Sequence, residues 1–148
     1  MGPIVLATCL SKVSESAAKV ARTLAAETGA PLHVVYAIEP SSGLSGDAAM
    51  VARESAKARQ EGELRGAVEA FCIRNGIDVD TTTRRVLSGT IADEIAAYAG
   101  DVSARLVVVG TSAPTGVTAV LLGSVADEVM RRCPAPVLIV RQDLLKDA

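Results

Sequence analysis

Tryptophan is absent from the 148 residues, and Tyr36, Phe71 and Tyr98 are the only aromatics. The core must therefore be built from Val, Leu, Ile and Ala, and little is left on which the bases of a nucleic acid could stack. A net charge of −2 gives no general attraction to nucleic acid or to an anionic membrane. Cys9, Cys72 and Cys133 form an odd, widely spaced set with no C-x-x-C pair, which excludes a disulfide framework and points to a reducing compartment. The single histidine, His33, has no partner at metal-ligand spacing and reads as structural. No apolar run approaches the ~18 residues of a membrane span. No basic segment precedes an apolar one at the start of the chain, so a cytoplasmic protein without membrane or nucleic-acid partners is expected.

The usual signatures of catalysis are missing as well. The chain has neither a G-x-S-x-G elbow nor a G-x-x-x-x-G-K-[ST] loop. Ala7-Thr8-Cys9, at the end of the first apolar run, offers no carboxylate to hold Mg²⁺. One histidine and no clustered carboxylates leave no acid–base pair. A protein that is not an enzyme is expected.

What is present is a hydrophobic content of 49 %, distributed as five short apolar runs that alternate with helical periodicities. At 148 residues this suits one domain, spanning 1–148, with a core that needs no disulfide or metal. Pro3 to Thr8 reads as a first strand. A helix follows, with Val13, Ala17, Val20, Ala21, Leu24 and Ala25 on one face and Gly29 as its stop. Leu32 to Ile38 is a second strand. Ser41 to Gly46 is a polar loop, and a long helix starts near Asp47. Its charged stretch from Arg53 to Glu63 is a solvated face, Leu64, Val68, Phe71 and Cys72 form an apolar one, and Asn75-Gly76 ends it. Val79 to Leu87 alternates and suits a third strand at a sheet edge. Ser88-Gly89-Thr90 starts a short helix that Gly100 ends.

The most informative stretch is Val107 to Val140. An unbroken run, Leu106 to Val109, stops at Gly110, as a strand covered on both faces would. After a loop, Gly123 opens a helix that Ser124 can cap, with Asp127 in the last place of a capping-box pattern. Pro136 to Arg141 is the last strand. A strand, a glycine-containing loop and a helix start make an anion cradle of free N–H groups at the positive end of a helix dipole. From Gly110 to Met130 the chain has no Lys or Arg, so an anion there would rest on N–H groups and hydroxyls. The pattern of five strands and four helices predicts a three-layer α/β domain with a mainly parallel, Rossmann-like open sheet.

Gly110, Gly123-Ser124 thirteen residues on, and Pro134-Ala-Pro-Val-Leu-Ile-Val-Arg141 resemble the G-x2-G-x9-G-[ST] motif and final strand of the universal stress proteins of the UspA type. PIVLAT at the start, GAPLHVVYAIEP at the second strand and SGTIADEI extend the likeness over nearly the whole chain. The resemblance implies the strand order 3-2-1-4-5, a regulatory role in stress response, and a ligand at the carboxyl ends of the first and fourth strands. It implies ATP or another adenine nucleotide (AMP), with Mg²⁺ only as its companion. Gly110, Gly123, Ser124 and Val125 match the phosphate-binding motif, Ala7 and Ala37 fall where strand ends meet adenine, and Thr8 and Cys9 follow Ala7 into the cleft. It also implies a homodimer formed around Val137, Leu138, Ile139 and Val140. The departures are Cys9 and Arg105 where many members carry Asp, and Ala113 followed by Pro114 where the motif has its middle glycine. Gly116, with Thr115 and Thr118, offers an alternative nest. A nucleotide-free dimeric docking protein of the same family is the other reading. Ser124 as a helix cap alone, and Cys9 as a small core filler rather than a redox thiol, are the plain alternatives for those residues.

Overall fold

In the computed structural model each apolar run lies beside the others. Residues 1–39, 47–112 and 123–142 are described, with side chains of the second helix described from Arg59 onward. The strands are β1 (Ile4–Ala7), β2 (Leu32–Ile38), β3 (Thr83–Ser88), β4 (Leu106–Thr111) and β5 (Val137–Arg141). The helices are α1 (Glu15–Thr28), α2 (Asp47–Arg74), α3 (Ile91–Asp101) and α4 (Ser124–Arg132), and a 3-10 turn, Lys12–Ser14, precedes α1. All four strand pairings are parallel, in the order β3-β2-β1-β4-β5. The expected five-stranded sheet and its order are therefore found, with β3 at one edge and β5 at the other.

Central strands buried on both faces need aliphatic side chains in every position, and β1 is buried throughout. One face packs Ile4, Leu6, Val34 and Val108 against Ala17, Ala18 and Ala21 of α1 and Val68, Phe71 and Cys72 of α2. The other packs Val5, Val35, Val107 and Val109 against Ala92, Ile95 and Ala99 of α3 and Ala126 and Val129 of α4. The alanines let the helices lie close to the sheet. Phe71 is the one large ring in this core and is fully buried, a burial that stabilises by about 2–3 kcal/mol.

Several boundaries differ from the sequence reading. β3 begins at Thr83, because Asp78 accepts the N–H of Asp80 and holds the segment from Val79 in a turn. Gly100 does not end α3: the helix runs on to Asp101, and Ser103 takes the left-handed conformation with φ 50°. β4 does not stop at Gly110, which pairs with Val140 inside the strand, and Thr111 continues it. The helix stop at Gly29, with φ 73°, is as expected. Arg59, Gln60, Gly62 and Glu63 are exposed, in line with a solvated face on α2. The loop Ser41–Gly46 lies outside the described residues, as do the Arg53–Lys57 side chains. Among the described residues, no helix is long and apolar enough to cross a membrane.

Candidate functional site

The parallel order sends α1 and α3 to opposite faces, so a crevice opens above the carboxyl ends of β1 and β4. A cavity of about 640 Å³ lies there, within the roughly 300–1,000 Å³ typical of small-molecule sites. The structure brings Ala7, Thr8, Cys9, Ala37, Gly110, Gly123, Ser124 and Val125 to its walls. Ala113 and Gly116 fall outside the described residues.

The chain leaving β1 is shaped by its own hydroxyls. Thr8 donates its N–H to the Val35 carbonyl at 2.9 Å, and its side chain accepts the N–H of Leu10 at 2.9 Å. Leu10 has φ 64°, so the chain reverses sharply into the 3-10 turn, which the Ser11 side chain caps by accepting from Val13. That turn brings Val13 down onto β4. A Cβ at Gly110 would overlap the Val13 carbonyl, so this glycine is already required by the fold, whatever else it does.

Cys9 is not a core filler. It is exposed at the cavity wall, with Sγ 3.0 Å from Ser11 Oγ and 3.2 Å from Ser14 Oγ. Its own N–H donates to Ser14 Oγ at 2.9 Å. Burial pushes the thiol pKa up, but hydrogen bonds from the Ser11 and Ser14 side chains and from backbone N–H groups outweigh it. The net value lies below that of an ordinary thiol.

On the other side of the cavity, Gly123 donates its N–H to Thr111 Oγ1 at 3.2 Å, tying the start of α4 to the end of β4. Gly123, not Ser124, occupies the cap position, and no side chain makes a capping bond. Ser124 is one residue too far along to cap: it is the first residue of the helix and exposed. Asp127 does not complete a capping box; it pairs with Arg131 at 3.1 Å, while its N–H donates to the Gly123 carbonyl. The N–H groups of Ser124, Val125 and Ala126 precede that first helical bond, and all three residues line the cavity. They supply partial positive charge to its rim.

Further residues complete the walls. Tyr36, Ile38 and Glu39 extend the Ala37 wall along β2, Gln60 and Leu64 reach over from α2, and Ile91 and Ile95 come from α3. Thr111 and Ser112 could have been suspected as the hydroxyls that follow Gly110. The α2 and α3 residues carry no local signal, since packing alone brings them in. Glu39 is the only charged side chain among the described lining residues. His33 lies away from this cavity, with Nδ1 2.8 Å from the Tyr98 hydroxyl.

The comparisons with known proteins agree with this architecture. A universal stress protein of Methanocaldococcus jannaschii is 32 % identical over 141 residues, covering 94 % of this chain and 81 % of that protein. The universal stress protein of Archaeoglobus fulgidus in complex with dAMP superposes with a TM-score of 0.62 at 25 % identity, covering 95 % of this chain and 98 % of the other. A universal stress protein in complex with cAMP does so with a TM-score of 0.59 at 27 % identity, covering 95 % and 97 %. The model of the universal stress protein family matches residues 1–141. A match of that extent, over a sheet of the same order, makes this chain a member of the universal stress protein family.

Proposed function

We propose that this protein is a regulatory binder of an adenine nucleotide in stress response, and that it works by binding rather than by catalysis. The observation that carries the reading is the cavity itself, in which apolar strand ends suited to a purine meet the free N–H groups of α4 suited to a phosphate. Two structural relatives are in complex with an adenine mononucleotide, dAMP or cAMP. The lining favours that class over ATP: no Lys or Arg stands among its described residues, and Glu39 would repel a more highly charged tail. Among the described residues no group of three or more His, Cys, Asp or Glu could hold a metal, so Mg²⁺ would come only with a di- or triphosphate. Absence of a paired acid and base along the described walls supports binding without turnover. Cys9, Cys72 and Cys133 are unpaired, which suits the reducing cytoplasm.

The test is to release any bound small molecule with acid, identify it by mass, and follow thermal unfolding with AMP, cAMP and ATP–Mg²⁺. Co-purified nucleotide, or a melting temperature raised by several degrees at saturating AMP, is expected. Val125→Glu should abolish the shift and leave the fold intact. Val125 is 41 % exposed, and a carboxylate in the first turn suits the helix dipole while repelling phosphate. An empty protein whose melt stays unmoved at millimolar nucleotide would sink the reading in favour of a nucleotide-free docking protein.

A further inference from the structure

A second cavity, of about 470 Å³, lies away from the strand ends, between α2 and β3, lined by Arg65, Val68, Glu69, Arg84, Arg85 and Val86. Side chains alternate along β3, so Arg84 faces α2 while Arg85 acts on His33 and Tyr98 across the other face. Of the three arginines that line the cleft, Arg85 donates from Nη1 to the Arg84 carbonyl at 3.0 Å, which leaves the guanidiniums of Arg65 and Arg84 against one carboxylate, Glu69.

That carboxylate does not satisfy Arg84. Its Oε2 stands 3.8 Å from Arg84 Nη1, well beyond the roughly 2.7–2.9 Å of a charge-assisted hydrogen bond. Nη1 is closed off from solvent and has no hydrogen-bond partner among the described residues. A guanidinium N–H buried in this way is costly and calls for an acceptor. The Arg84 side chain as a whole is 32 % exposed, so the group stands between a sealed floor and an open cavity. Val68, buried, and Val86, half-buried, also line the cleft, and apolar walls strengthen any ion–ion contact made beside them. Glu69 is 51 % exposed and has room to swing outward.

We propose that this cleft is an oxyanion site, in which Glu69 swings toward solvent and uncovers Arg84 Nη1, and a phosphate or carboxylate group then accepts from that nitrogen beside Arg65. The site is independent of the adenine-nucleotide cavity, and a ligand in one does not need the other.

Calorimetric titration of the full chain with inorganic phosphate and, separately, with citrate, at ionic strength matched with chloride, tests this. Binding of phosphate alone identifies the ligand as a phosphate, and binding of citrate alone as a carboxylate. Arg84→Gln is expected to weaken the binding about tenfold or more. Glu69→Gln should tighten it severalfold by removing the competing carboxylate. Arg105→Gln, at an exposed arginine outside the cleft, should leave it unchanged. Should Arg84→Gln fail to fold, the gain in Glu69→Gln and a phosphate-dependent shift of the Arg84 side-chain NMR resonances decide the matter. Wild type that binds neither probe at millimolar concentration overturns the proposal, and so does binding that Glu69→Gln does not change.

Discussion

At Gly110 the strand β4 passes directly beneath the Val13 carbonyl, where a Cβ would overlap backbone that belongs to a tight turn. Gly110→Ala should therefore destabilise the fold by about 1–3 kcal/mol, the usual cost of overpacking a core. Urea unfolding measures it, and an unchanged midpoint would mean that the turn yields easily. The surroundings of His33 favour its neutral form. Burial, then the charge of Arg85, holds its pKa below the ordinary value of about 6.5. The folded state thus takes up a proton less readily than the unfolded chain. The resulting stability is fully present above the unfolded value and is lost as pH falls through the folded one. It is the only histidine, so a decline in stability between about pH 7 and pH 5 that is flattened in His33→Gln is the expected outcome. Parallel pH profiles for the two proteins would remove His33 as the cause.

The elements show how much of this was legible in the sequence. β2 was read residue for residue, since Leu32 to Ile38 is an aliphatic run closed by Pro31 on one side and by Glu39-Pro40 on the other. The end of α1 was equally clear because only Gly29 could take its left-handed turn without strain. Where the reading failed, a residue with a strong local meaning was serving a distant neighbour. Gly110 looked like a strand end but sits inside β4, under a turn that follows β1. Gly100 looked like a helix stop, but the helix runs one residue past it and the left-handed turn falls at Ser103 instead. Ser124 looked like a cap, but the Thr111 hydroxyl fixes the helix start one residue earlier by accepting from Gly123. The cavity shows the same division. Ala7, Ala37 and Gly123 follow from strand order and a glycine motif, whereas Gln60 and Leu64 arrive only through the way α2 crosses the sheet.

Among the described residues β5 pairs with β4 alone and is the last strand of the sheet, so one side of its backbone has no strand beside it there. Val137, Leu138 and Ile139 are each half-buried, whereas Val140 is 2 % exposed. Val140 is therefore committed to the core of its own chain, and the three residues before it carry the apolar edge. We propose that a second copy covers this edge around a two-fold axis, because an isologous contact matches the same apolar stripe to itself and leaves neither β5 edge exposed. A lysine in place of Ile139 would put a charge into the centre of that contact while keeping its aliphatic stem against α3 and α4. Ile139→Lys should therefore sediment as a folded monomer at concentrations where the wild type sediments as a dimer, with an unchanged circular-dichroism spectrum. If the wild type is itself monomeric at tens of micromolar by sedimentation equilibrium, the edge is closed by something other than a second copy. The dimer would then have to be abandoned, while the nucleotide cavity, built within one chain, would stand on its own test.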